Sequence, residues 1–223
     1  MKWQTFNRIE FALTTHCNAN CPLCMRTDKN SGKKLDSVPL LHLPLDDYKK
    51  TLKQINSDWQ IYLCGDWGDP MMHPNIEEIL EYTVINNSNS VCIDTNGGIR
   101  DADFYKKIAK KYEEELWINF SIDGFDAETN GKYRIGVNFD KCMENILAYA
   151  QQSPWLSIWQ MLIFDYNYDQ IDMVADFCRK NKIFFDFKLN VRRWKHTVTS
   201  EKIKEYVLKK QQEHKDICYE NSL

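Results

Sequence analysis

The sequence predicts an α/β fold built on a parallel sheet. Strand-like and helix-like segments alternate strictly from residue 8 onward, six of each. Several strand-like segments are near-continuous apolar runs, the pattern of parallel strands covered on both sides. Small, polar and metal-ligating residues collect directly after those runs, at the carboxyl ends where parallel α/β folds do their chemistry.

The first strand, 8–13, ends at Thr14-Thr15-His16-Cys17. A weak helical stripe over 45–56 leads to the second strand, 60–64. Ile76, Ile79, Leu80, Thr83 and Val84 then follow the i, i+3, i+4, i+7, i+8 spacing of a helix face. Strand 91–94, a second weak stripe at 101–112 and strand 116–122 come next. Phe139, Met143, Ile146, Leu147 and Ala150 hold one face of another helix, and Ile171, Val174, Ala175 and Cys178 do so after strand 156–164. Strand 183–189 precedes a last helix at about 200–216, carried by Ile203, Tyr206 and Val207. Strict alternation implies right-handed crossovers. Six units are too few to close an eight-fold barrel, and periodicity alone leaves a curved open barrel and a flat doubly wound sheet both standing. The longest irregular stretch, 26–44, reads as an exposed loop.

The chain of 223 residues, 43% hydrophobic and 13% aromatic, reads as one domain, 1–223, with a sizeable core. A net charge of −3 argues against a strongly electrostatic nucleic-acid binder, although a local basic patch stays open. No apolar run reaches a membrane-spanning length, and Met1-Lys2-Trp3-Gln4-Thr5 lacks the apolar stretch of a signal peptide, so a cytoplasmic protein with no membrane partner is expected. Eight cysteines invite a disulfide reading, but a stapled secreted chain would be shorter. Cys64, Cys92, Cys142, Cys178 and Cys218 are scattered and read mainly as small buried hydrophobes.

The remaining three, Cys17, Cys21 and Cys24, stand in C-N-A-N-C-P-L-C directly after the first strand. Three thiolates so close can wrap one metal centre, with no fourth ligand at matching spacing. On a four-iron cluster that leaves one iron open, an arrangement for chemistry rather than scaffolding. A zinc site is the competing reading, with His16 or Cys64 as a fourth ligand, but zinc ligands usually come as two close pairs. The other strand ends carry Gly65-Asp66-Trp67-Gly68-Asp69-Pro70, Thr95-Asn96-Gly97-Gly98, Asp123-Gly124, Asp165 and Asn190-Val191-Arg192-Arg193. Each is also an ordinary turn or strand end by itself; together they share one mouth with the cysteines.

The C-x3-C-x2-C spacing resembles the radical S-adenosylmethionine (SAM) superfamily, closest to its SPASM/twitch-type branch, and the later segments extend the resemblance over nearly the whole chain. It implies a partial (β/α)6 TIM-like barrel in which Cys17, Cys21 and Cys24 hold a [4Fe–4S] cluster, within a cluster loop at 14–44. Gly68-Asp69-Pro70 with His73-Pro74 resembles the segment that contacts the SAM amino group. Here Asp69 stands for the usual Glu and Trp67 for the first Gly, which puts the side-chain role in doubt. Thr95-Asn96-Gly97 is similar to the family's segment after strand 3. Ser121-Ile122-Asp123-Gly124 resembles the strand 4 segment near the SAM ribose and carboxylate. Tyr133-Arg134 is similar to a pair in the peptide-modifying branch, and Arg134 would pair with the SAM carboxylate. Met25 stands where the family lines the adenine pocket. The implied reaction is reductive cleavage of SAM to a 5′-deoxyadenosyl radical that takes hydrogen from an unknown substrate: a small molecule, a peptide or a protein. An external one-electron reductant such as flavodoxin or ferredoxin would supply the electron. Alternatives are a small enzyme like the glycyl-radical-activating enzymes or 7-carboxy-7-deazaguanine synthase, and a non-catalytic iron–sulfur electron carrier. With only Cys218 near the end of the sequence, a fully ligated auxiliary cluster is not expected. Lys188, Asn190, Arg192, Arg193 and Trp194 would suit an anionic substrate, or would form a solvated loop.

Overall fold

The computed structural model describes residues 7–28 and 30–220, with side chains to residue 213. The signal-peptide reading of Met1–Thr5 and the side chain of Cys218 lie outside the described residues. Every apolar run becomes a strand within two residues of its expected bounds: β1 (Arg8–Phe11), β2 (Gln60–Leu63), β3 (Val91–Thr95), β4 (Leu116–Ser121), β5 (Ser157–Ile163) and β6 (Phe184–Leu189). The helices are α1 (Leu45–Leu52), α2 (Ile76–Glu81), α3 (Ala102–Tyr112), α4 (Ala127–Gly131), α5 (Phe139–Gln152), α6 (Ile171–Lys180) and α7 (Glu201–Glu220). α1 stops short of residue 56 because its end tightens: the amides of Gln54 and Ile55 bond three residues back, to Thr51 and Leu52. α4 is a short helix the periodicity does not show. Asp126 caps it by accepting from the Thr129 amide, as Asp101 caps α3 and Asn138 caps α5.

All six strands are parallel, in the order β1-β2-β3-β4-β5-β6. That order decides between the two architectures left open by periodicity. A doubly wound sheet reverses its strand order at a switch point. A sequential sheet with crossovers of one hand keeps every helix on one face and curls the other inward. Among the described residues β1 and β6 do not pair, so the barrel is open. Residues facing the helices, including Ile61, Ile93, Ile118 and Trp159, are fully buried. The alternate, concave positions are largely polar. Asp94 stands beside Asn119 in register, and Ser121, Gln160 and Asp186 form one row. Cys64, Cys92, Cys142 and Cys178 are buried, free thiols, as the scattered cysteines were expected to be. Among the described residues no helix is long and apolar enough to cross a membrane.

Candidate active site

Parallel strands deliver every βα loop to one end of the sheet, and the cysteine loop is the first to arrive. It is anchored by an isolated antiparallel bridge between Thr14 and His42. Tight turns carry it onward: the Cys24 amide donates to Cys21 O and the Thr27 amide to Cys24 O, both at 3.0 Å, and the Thr27 hydroxyl returns to Cys21 O at 2.9 Å. The Asn20 amide donates to Ile135 O at 2.8 Å, tying the loop to the segment between α4 and α5. Cys17, Cys21 and Cys24 all open on one cavity of about 310 Å³, whose wall also holds Met25, Gly68 and Asp69. Burial pushes the Cys21 thiol up to about 11 against the pull of Arg134, and burial raises Cys17 as well. Such thiols keep their protons until a metal displaces them.

Gly68 lets the loop after β2 lie on the cysteine loop. A Cβ there would come within 2.2 Å of Thr14 O and 2.6 Å of His16 O. The next amide, of Asp69, donates to His16 O at 2.8 Å. The Asp69 side chain, 3% exposed, is a latch between two loops. It accepts from the Met71 amide at 3.0 Å, from the Thr95 hydroxyl at 3.0 Å on each oxygen, and from the Asn96 amide at 2.8 Å. Burial nevertheless pushes its carboxyl up to about 6. Pro70 opens the short turn that Asp69 caps and is not among the lining residues. Trp67, in place of the family's glycine, is exposed. Thr95 and Asn96 line the cavity, and Asn96 Nδ2 reaches Asn18 Oδ1 at 2.7 Å and Cys17 Sγ at 3.7 Å.

The end of β4 divides its duties. Ser121 faces the cavity. Asp123 is fully buried and is not among the residues lining it, accepting from Arg134 Nε at 2.6 Å and from the Leu162 amide at 2.7 Å. Arg134 lines the cavity with a side chain 16% exposed, so it is no solvated charge. Burial works to lower its pKa, and Asp123 more than offsets this, so its charge is held firmly. The structure therefore brings Cys17, Cys21, Cys24, Met25, Gly68, Asp69, Thr95, Asn96, Ser121 and Arg134 to one wall, and Pro70 and Asp123 are not among its lining residues.

Other site residues escaped the motif reading. Arg26 and Asp94 line the same cavity. Asp94 accepts from the Tyr62 hydroxyl in a short bond and from Asn119 Nδ2 at 2.7 Å. A second cavity, of about 350 Å³, shares Ser121, Tyr133, Arg134, Leu162 and Arg192 with the first and runs under β5 and β6 past Gln160, Asp186 and Lys188. Lys188, Asn190 and Arg192 are among the residues expected to suit an anionic substrate; for Asp186, its alternation with Lys188 along β6 was the available signal.

The donor set suits a cluster. Three thiols share one cavity, yet among the described residues no three His, Cys, Asp or Glu side chains are arranged around a single ion. Ligands on separate irons of a cluster need not converge as zinc ligands do, with metal–sulfur bonds of about 2.3 Å.

The chain matches the family described as the Radical SAM superfamily over residues 11–178. It is 29% identical over 126 residues to an AdoMet-dependent heme synthase of Methanosarcina barkeri, covering 56% of this chain and 34% of that protein. It is 26% identical over 124 residues to the antilisterial bacteriocin subtilosin biosynthesis protein AlbA of Bacillus subtilis, covering 56% of this chain and 26% of the relative. Among solved structures it is similar to Streptococcus suis SuiB bound to its precursor peptide SuiA, with a TM-score of 0.69 at 17% identity, covering 95% of this chain and 47% of that one. The chain thus spans about a quarter to a half of the length of these relatives.

Proposed function

The chain belongs to the radical SAM superfamily, and on that basis we propose that it is the SAM-cleaving core of an enzyme acting on a peptide or protein segment. The observation that carries this reading is the continuity of two cavities: one walled by Cys17, Cys21, Cys24 and Arg134, the other by the polar concave face. When bound, a [4Fe–4S] cluster supplies the electron that cleaves SAM to methionine and a 5′-deoxyadenosyl radical. Cys17, Cys21 and Cys24 would hold three irons and leave the fourth for the amino and carboxylate groups of SAM. Asp69 fixes the loops after β2 and β3 against each other, so that backbone groups near Gly68 and the side chain of Asn96 face the cofactor with little freedom. Asp123 spends its charge on Arg134 and aims the remaining guanidinium nitrogens into the cavity, toward a carboxylate. Ser121 offers a hydroxyl between the two cavities.

Gln160, Asp186 and Lys188 line the second cavity. Their face is where substrate would be held, with Lys188 and Arg192 for acidic groups and Asp186 for donors. The peptide reading draws on SuiB, solved with its precursor peptide, and on AlbA, a bacteriocin biosynthesis protein. Flavodoxin or ferredoxin is the reductant we propose.

The test is 5′-deoxyadenosine formation by anaerobically reconstituted protein given SAM and a strong reductant. Product above that of a Cys17/Cys21/Cys24 triple-alanine variant is the expected result. Background-level product at full iron and sulfide content, with peptide substrates present, would move the protein to the electron carriers.

A further inference from the structure

Arg26 is the one cation of the cofactor cavity to which the motifs give no part. Its side chain is only 4% exposed, and its Nε is buried with no hydrogen-bond partner. Among the described residues it makes no ion pair, whereas Arg134 is paired with Asp123. Arg192, the third guanidinium on this wall, is exposed and donates to Leu23 O at 2.9 Å. Arg26 lines the same cavity as the three cysteines, two residues past Cys24. A buried guanidinium without a counter-charge is strongly unfavourable, and a buried one is normally paired. The cavity carboxylates do not supply the pairing: Asp69 is committed to Met71, Thr95 and Asn96, Asp94 to Tyr62 and Asn119, and Asp66, exposed on the same wall, forms no ion pair with Arg26. Loading a cluster on Cys17, Cys21 and Cys24 converts three thiols to thiolates and brings negative charge to this wall.

We propose that Arg26 is the counter-cation of the iron–sulfur cluster, a positioning residue that stabilises the cluster's negative charge. This rests on the cluster reading above. Reduction adds one electron and so one more negative charge. A fixed cation beside the cluster favours the reduced form and raises its reduction potential. Arg26 thereby makes the electron delivery that precedes SAM cleavage easier, without touching substrate.

The experiment compares wild type with Arg26→Gln, Arg26→Met and Arg26→Lys, each reconstituted anaerobically. Iron and sulfide content, the midpoint potential from an electron-paramagnetic-resonance titration, and SAM affinity are measured. At full iron content, Gln and Met are expected to move the midpoint to more negative values with SAM affinity unchanged, and Lys is expected to restore most of the shift. If Gln and Met lose the cluster while Lys keeps it, the charge holds the cluster and the proposal stands. An unchanged midpoint at full loading overturns it, as does loss of the cluster in all three variants, which makes position 26 merely structural. A fall of about tenfold or more in SAM affinity at an unchanged midpoint also overturns it and assigns Arg26 to the SAM carboxylate. Failure of the wild type to load any cluster is a different result and counts against the cluster reading itself.

Discussion

Asp123 and Arg134 form the buried ion pair on which the cavity wall depends. Removing one partner leaves a charge with nowhere to go, so Arg134→Met should cost about 3–5 kcal/mol in urea unfolding of the cluster-free protein. The Asp123→Asn/Arg134→Met double variant should lose less than the sum of the singles, a coupling that reads out the pair. Acid sensitivity sits elsewhere. His42 stacks on His16 with ring centres 4.2 Å apart, and His73 meets His42 edge-on at 5.2 Å. Burial lowers the pKa of His42, helped by its two histidine neighbours, and burial also lowers that of His73. The Nδ1 of His73 accepts from the Asn75 amide at 3.1 Å, a bond that protonation removes. With folded values depressed, the unfolded chain binds more protons below about pH 6.5, and stability falls as the pH drops through that value. The raised Asp69 carboxyl, at about 6, works in the opposite sense, gaining stability on acidification. The check is therefore differential: His42→Asn should show a smaller loss of urea midpoint than wild type between about pH 7.5 and about pH 5.5. The cysteine spacing made the centre of the site legible, because ligand spacing is a local property. That Asp123 is buried and paired with Arg134 was not legible, since Ser-Ile-Asp-Gly records adjacency and not tertiary partners. Arg26 was invisible for the same reason: its meaning comes from burial without a partner.

The loop after β2 is fastened to the loop after β1 by a backbone approach that tolerates no side chain. Gly68→Ala should separate the two loops, lower the melting temperature and reduce iron retention, because the added Cβ would meet Thr14 O at 2.2 Å. Gly131, at the end of α4, is the control, with open space around a would-be Cβ. Gly131→Ala should be neutral or stabilising by about 0.5–1 kcal/mol, with iron content unchanged. The strands were legible as apolar runs because their helix-facing sides are uniformly buried. α4 was not, because five residues are too few to display a helical period. The polar concave face was half-hidden for a related reason: β3 reads Val-Cys-Ile-Asp-Thr, and Asp94 is its only polar concave residue. In β6 the alternation of Asp186 and Lys188 between phenylalanines was open to view, and only the register with Gln160 and Ser121 gave it a place.

Periodicity left two architectures open and the resemblance pointed to the partial barrel; the strand order closed the question, since alternation is common to both and order is a property of the whole sheet. That same order governs how the molecule comes into being. Each strand pairs with the one made just before it, so the sheet can be laid down in the direction of synthesis, one βα unit at a time. The site does not share this convenience. Cys21 and Arg134, which meet across the cavity, are separated by 113 residues. At about 5–20 residues per second, a ribosome takes roughly 10 s to travel between them. For that interval the three thiols are displayed on a nascent chain whose protective wall has not been translated. Because the cysteine loop is translated before the residues that wall it in, the cavity in which a cluster would sit is complete only after Arg134 has been made.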